Sequence, residues 1–257
     1  MGTAHPTTPN LIIKNMTNNI AQLISAVEQA DSSASLLEAV QNLASSRLEE
    51  AVPTLIAALG YNNPGAAVAA VDGLIAIGSK AVEPLLSLLD NYNYGARAWA
   101  VRALAGIGDP RGFDILLDAA ENDFALSVRR AAARGLGTIH WQLLPSEQVL
   151  TKQQQAIETL IQVAKDPEWV VRYAAVTGLE ALAGAISETQ PEILPQITAP
   201  LLEIANNDEE VAIRARAWMA INQQQNENNA IEMPNIKTLA ESDDEKQVPS
   251  RGSSRRT

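Results

Sequence analysis

Along most of the chain, apolar residues recur three and four positions apart, the spacing that gathers them on one side of an α-helix. Ala51-Val52-Pro53-Thr54-Leu55-Ile56-Ala57-Ala58-Leu59 is one such segment. Ala81-Val82-Glu83-Pro84-Leu85-Leu86-Ser87-Leu88-Leu89 repeats it, and Ile115-Leu116-Leu117 follows in register. The proline in the first two falls where a first helical turn tolerates it, since the N–H it lacks would have no partner there. Each segment is followed by a second one built from smaller residues. Ala70-Val71-Asp72-Gly73-Leu74-Ile75-Ala76-Ile77-Gly78 returns as Ala100-Val101-Arg102-Ala103-Leu104-Ala105-Gly106-Ile107-Gly108 and as Ala132-Ala133-Arg134-Gly135-Leu136-Gly137-Thr138-Ile139-His140. The anchor leucines Leu43, Leu74, Leu104, Leu136 and Leu179 are separated by 31, 30, 32 and 43 residues. The long last step implies an insertion of roughly 11–13 residues in a repeated unit, placed around Trp141 to Gln153.

Two helices per repeat, with small residues where they must touch, predict an all-α protein, an α-solenoid of HEAT-like helical repeats. Gly60, Gly78 and Gly108 stand where helix C-termini end. No stretch alternates apolar and polar residues long enough for a sheet. The solenoid is expected over residues 16–222, as about six helical pairs. Residues 1–15 read as a flexible N-terminal extension, with Met16 as a second plausible start. From Gln223 the apolar period stops, and the polar stretch 223–257 reads as a disordered tail, too poor in apolar surface to offset the entropy of ordering. Val128-Arg129, Val171-Arg172 and Ile213-Arg214 are hydrophobic–arginine pairs with Asp123, Asp166 and Asp208 shortly upstream. Each arginine is expected to reach a carboxylate of its own or a neighbouring repeat and so tie the stack together laterally.

Composition narrows the functions available. The formal net charge of −11 argues against a nucleic-acid binder, because phosphate neutralisation needs clustered lysine and arginine. The chain has no cysteine, hence no disulfide, thiolate ligand or thiol nucleophile of its own, and its two histidines, His5 and His140, offer no pair for a metal. No metal site or cofactor is expected. No signal-peptide apolar region is seen, and no run approaches the ~20 apolar residues of a membrane span. A cytoplasmic protein fits. Glycine-rich phosphate loops, nucleophile elbows and zinc-protease helices are all missing.

The candidate functional residues follow from the repeat register. Tyr61-Asn62-Asn63-Pro64-Gly65 and Asn91-Tyr92-Asn93-Tyr94-Gly95-Ala96-Arg97-Ala98-Trp99 occupy the same inter-helix turn of successive repeats, so they are expected to form one aromatic and amide-rich strip. The residue two before each anchor leucine is Gln41, Asp72, Arg102, Arg134 and Thr177 in turn. A buried column would not hold Asp72, Arg102 and Arg134, so this column faces solvent or a groove. It is either a salt-bridge ladder or a display of two guanidinium forks and one carboxylate to a ligand.

The turns Leu59-Gly60-Tyr61-Asn62-Asn63-Pro64-Gly65 and Asn91-Tyr92-Asn93-Tyr94-Gly95-Ala96-Arg97-Ala98-Trp99, with Asn122-Asp123-Phe124-Ala125-Leu126-Ser127-Val128-Arg129-Arg130-Ala131, closely resemble the F subunits of the E/F-type phycobilin lyases of cyanobacteria. The resemblance runs from about Met16 to Asn222. It implies a heterodimer with an E-type partner that binds phycocyanobilin as substrate and attaches it through a thioether to a cysteine of the phycocyanin alpha subunit. Relatives that also isomerise the bilin carry a His-Cys motif. Its absence here implies transfer without moving a double bond. With that flat, two-propionate ligand implied, the chemistry of the candidates gives their expected roles: Arg102 and Arg134 grip the two propionates, Tyr92, Tyr94, Arg97 and Trp99 line the bilin, and Asp72 accepts from pyrrole N–H groups and keeps the bilin protonated. Two other readings stay open, a scaffold or chaperone for phycobiliprotein subunits and a chromophore-detaching relative.

Overall fold

The structure, a computed structural model, describes the backbone of residues 9–89, 94–187 and 189–228 and the side chains of residues 19–89, 96–187 and 189–223. Among the described residues there are twelve α-helices. The first six are α1 (Pro9–Glu28), α2 (Ser33–Ser45), α3 (Val52–Ala58), α4 (Pro64–Ile77), α5 (Val82–Leu89) and α6 (Tyr94–Ile107). The rest are α7 (Phe113–Asn122), α8 (Leu126–Leu136), α9 (Ser146–Val163), α10 (Trp169–Ile186), α11 (Pro195–Asn207) and α12 (Val211–Asn228). They pair in chain order into six repeats. The even-numbered helices stack side by side as one layer, and the odd-numbered ones cover it as a second.

The small residue before four of the five anchor leucines (Gly73, Ala103, Gly135 and Gly178) explains why the even layer packs so tightly. A Cβ on Gly135 would stand 2.5 Å from the Cβ of Ala105, and one on Gly178 would stand 2.4 Å from the carbonyl oxygen of Ala133. Consecutive even helices therefore touch almost backbone to backbone, and the anchor leucines beside these positions are all buried. The core falls into two apolar clusters that meet at α6. Ala100, Ala103 and Leu104 belong to the N-terminal cluster, and Val101 and Ala105 to the C-terminal one.

Two of the three hydrophobic–arginine pairs tie the repeats together, while Arg214 meets only the backbone carbonyls of Asp208 and Glu209 and no carboxylate among the described residues. Arg129 Nε lies 2.7 Å from Asp166 Oδ2, and Arg172 Nε lies 3.0 Å from Asp208 Oδ2, each reaching the following repeat. Both guanidinium groups have their proton affinity raised, chiefly by these hydrogen bonds. Helix starts are also anchored locally. Asn63 caps α4 by accepting from Ala66 N at 3.1 Å, while its amide donates to the Ser33 carbonyl at 2.9 Å. The insertion after Leu136 becomes a short 3-10 turn, with Trp141 packed edge-on against Phe113 at 5.9 Å, followed by the 18-residue α9.

Two boundaries and one expectation about apolar length differ from the sequence reading. Helix α1 begins at Pro9, inside the segment 1–15 read as an extension, with its proline at the tolerated helix start; residues 1–8 lie outside the described residues. Helix α12 continues to Asn228, because glutamine and asparagine interrupt the apolar period without stopping a helix; only 229–257 of the tail read from 223 lie outside the described residues. Two stretches, Pro64–Leu89 and Trp169–Ile186, also prove long and apolar enough to cross a membrane by length and composition. Gly78, at φ 76°, breaks the first into α4 and α5. In both, about half of the most apolar window (44% and 56%) is buried in the solenoid, so their apolar surface is core.

Candidate binding site

The even-helix layer carries a groove of about 660 Å³, lined from α4, α6, α8 and α10. Helix α6 supplies Trp99 and Arg102, α8 supplies Arg130 and Arg134, and α10 supplies Thr177. The remaining lining is mostly small, including Ala105, Gly106, Ala131, Gly135 and Ala181, the residues that let α6, α8 and α10 approach closely. The groove is thus a consequence of the repeat pattern. Small residues draw the helices together, and the long side chains beside them form walls.

Among the described residues no carboxylate lines this groove, and its three arginines make no ion pair with any of them. Arg102 stacks over the indole of Trp99, its guanidinium carbon 5.8 Å from the ring centroid. Three uncompensated cations in one concavity of a chain with net charge −11 form a local site for an anion. Guanidinium forks match carboxylate geometry, and the flat indole favours a flat ligand beside it. Ser127 and Thr138 also line the groove. The Thr138 hydroxyl donates to the carbonyls of Ala105 (3.2 Å) and Gly135 (3.1 Å).

The structure brings together Arg102, Arg134 and Thr177 as the repeat register implies, and adds Trp99, a residue of the expected turn strip, from the same helix as Arg102. The column is not a salt-bridge ladder, since Asp72, Arg102 and Arg134 are exposed and unbridged among the described residues. Asp72 sits on the same column but one repeat away on α4, where Ile75 and not Asp72 lines the groove. Arg97 departs from its expected role. Its Nε lies 2.7 Å from Asp123 Oδ2, so it belongs to the lateral ladder of Arg129 and Arg172. The register contained that correction, because Arg97 stands seven residues before the anchor leucine, as Arg129 and Arg172 do. The turn strip is described only in part. Asn63 is engaged in capping, Trp99 lies within α6 away from the turn, Tyr92 lies outside the described residues, and of Tyr94 only the backbone is described, as the first residue of α6.

Arg130 is the residue the sequence reading missed. It stands one helical turn before Arg134, and residues four apart share a helix face. Its place beside Arg129 hid it, since Arg129 turns to Asp166 while Arg130 turns into the groove.

A two-layer helical solenoid with a cationic groove defines a ligand-binding repeat protein, and the HEAT repeats family model matches residues 62–137 and 127–222. Among sequence relatives, the phycocyanobilin lyase subunit beta of Pseudanabaena tenuis is 60% identical over 206 residues, covering 80% of this chain and 73% of the relative. The phycocyanin alpha phycocyanobilin lyase CpcF of Synechocystis sp. is 62% identical over 168 residues, 65% of this chain and 78% of the relative. Among solved structures, the complex of CpcE and CpcF of phycocyanin lyase from Nostoc sp. PCC7120 contains a chain that is 48% identical with a TM-score of 0.60, over 66% of this chain and 98% of that one. The chain belongs to the family of phycocyanobilin lyase beta subunits.

Proposed function

We infer that this chain is one half of a heterodimeric bilin lyase that, together with an E-type subunit, attaches phycocyanobilin to a cysteine of the phycocyanin alpha subunit. The observation that carries the reading is the groove of Arg102, Arg130 and Arg134 beside Trp99, with no carboxylate among its described lining residues. Phycocyanobilin is a flat tetrapyrrole with two propionates, and this groove offers it guanidinium forks and an aromatic face. The names of the Pseudanabaena and Synechocystis relatives support bilin transfer to the alpha subunit, and the CpcE–CpcF complex supports the partner.

The reaction adds a thiol across the ethylidene double bond. A carbon–sulfur bond forms at the ethylidene carbon, and the proton passes to the bilin, so no oxidant is needed. The thiol belongs to the acceptor, which suits a chain without cysteine. This subunit contributes position: Arg102 and Arg134 hold the propionates, Trp99 flanks a pyrrole plane, and Arg130 adds a third cation near the same carboxylates. Fixing the bilin in one pose raises the rate at one acceptor site and suppresses addition elsewhere. Asp72 takes the proposed role of acceptor for pyrrole N–H groups if the bilin extends past Ile75 along α4. Tyr92 and Tyr94 keep the proposed role of covering a bilin face. The bilin is substrate, with no further cofactor proposed. The proposed working place is the cytoplasm beside the phycobilisome, which the name of a 52% identical relative, phycobilisome maturation protein, supports.

Co-expression with the E-type partner, bilin-synthesis enzymes and apo-alpha phycocyanin tests the reading. Zinc fluorescence of the denatured alpha subunit is expected only when both lyase subunits are present. Full transfer with this chain omitted contradicts it.

A further inference from the structure

At the C-terminal end of the solenoid, the arginine ladder stops with its last member half used. Arg129 Nη1 donates to the carbonyls of Asp123 (2.9 Å) and Phe124 (3.2 Å) in its own turn, and Arg172 Nη1 does the same to Asp166 (3.0 Å) and Pro167 (3.3 Å). The other nitrogens of each fork hold the aspartate of the following repeat. Arg214 repeats the first half, with Nη1 2.6 Å from the Asp208 carbonyl and 3.2 Å from that of Glu209. Among the described residues, no carboxylate meets its Nε or Nη2.

The same end is apolar where inner repeats are covered. Trp218 comes four residues after Arg214, as Val176 comes four after Arg172, yet Val176 is fully buried and Trp218 is 42% exposed. Leu202 follows the buried Leu201 as Ile161 follows the buried Leu160. Ile161 packs against the core, and Leu202 is 44% exposed. A stacked repeat needs a neighbour or a cap on each face.

The remaining chain carries the pattern of that neighbour. Ile236, Leu239, Ala240 and Asp243 repeat the spacing of Leu201, Ile204, Ala205 and Asp208, and Asp243-Asp244-Glu245 matches Asp208-Glu209-Glu210. We propose that residues 234–245 dock on the solenoid end and cover it as the next repeat would. Ile236, Leu239 and Ala240 cover Trp218 and Leu202, and Asp243 completes the Arg214 fork. The occupant is the chain's own segment because it brings both the apolar spacing and the charge opposite to Arg214, a few residues beyond Asn228. Capping in this way also keeps two copies from stacking end to end.

Hydrogen exchange of the full-length chain at low concentration tests this. Amides of residues 236–241 are expected to exchange at least about tenfold more slowly than an unstructured peptide. Ile236→Asp or Arg214→Asp should abolish that protection, and Arg214→Asp combined with Asp243→Arg should restore it. Exchange at the unstructured rate overturns the proposal. So does protection that arises only at concentrations where the chain dimerises, or only with the E-type partner, since the end face then serves another molecule. An unchanged exchange rate in Ile236→Asp likewise contradicts it.

Discussion

Arg172 joins the fifth repeat to the sixth by clasping Asp208: Nε lies 3.0 Å from Oδ2, Nη2 lies 3.2 Å from Oδ1, and each side chain is 8% exposed. A two-pronged, nearly dry ion pair of this kind is costly to break on one side, because the remaining charge is left buried. Arg172→Ala is expected to lose about 3 kcal/mol of stability by urea denaturation. Arg97→Ala, whose side chain is 32% exposed, should lose distinctly less and leave bilin affinity of the folded protein unchanged. A large affinity loss in Arg97→Ala returns that residue to the bilin site.

The groove arginines should behave in the opposite way. Arg102, Arg130 and Arg134 are exposed and unpaired among the described residues, so their alanine variants are expected to melt close to the parent, within about 0.5 kcal/mol. Thermal melts of the three variants check this. A melting point as low as that of Arg172→Ala in any of them shows a structural role.

The close approach of α8 and α10 makes another expectation. A Cβ at residue 178 meets the Ala133 carbonyl at 2.4 Å and Leu160 Cδ2 at 2.9 Å, and a backbone carbonyl in a packed helix has little room to move. Gly178→Ala should cost about 1–3 kcal/mol or more. At Gly106 the nearest atom is the tip of Ile75, at 2.3 Å, a side chain that can turn aside. Gly106→Ala should therefore cost less stability while narrowing the groove, and paired denaturation and bilin titrations separate the two effects.

The repeat pattern made the architecture readable because a solenoid is a local structure. Each small residue beside an anchor leucine reports a contact between neighbouring helices, so Leu104 or Leu136 locates its helix without knowledge of the whole. The column of Arg102, Arg134 and Thr177 was readable for the same reason. The direction in which a guanidinium turns was harder to see. Arg97, Arg129 and Arg130 lie on helix starts where a one-residue step separates an aspartate of the next repeat from the open groove. Arg97 sits among aromatic residues that point to the ligand, although its distance from Leu104 matches the structural arginines.

Acid should loosen the junction of the third and fourth repeats at Asp109. Its carboxylate accepts from Arg111 Nε at 2.9 Å and caps the Arg111 backbone N–H at 3.0 Å, and the Arg111 side-chain hydrogen bond holds its carboxyl below the ordinary value of 3.8. A carboxyl with a lower value in the folded state contributes stability that is complete above the unfolded value and fades as pH falls through the folded one. Asp109→Asn should therefore be destabilised at pH 7, with the difference from the parent shrinking below about pH 4. Denaturation midpoints measured from pH 7 to pH 2 check this, and a constant difference contradicts it.

The central claim is that the arginines of the groove hold the propionates of the bilin. Titrating phycocyanobilin and its dimethyl ester into the complex with the E-type subunit, following quenching of Trp99 emission in a chain whose other tryptophans are replaced by phenylalanine, tests it directly. The free acid is expected to bind at least tenfold more tightly than the ester, since losing one partner of a desolvated guanidinium–carboxylate contact costs about 2–5 kcal/mol. Arg102→Ala and Arg134→Ala should each weaken binding of the acid by a similar factor while barely changing that of the ester. Equal affinity for acid and ester in the parent complex, or unchanged acid affinity in both variants, contradicts the account.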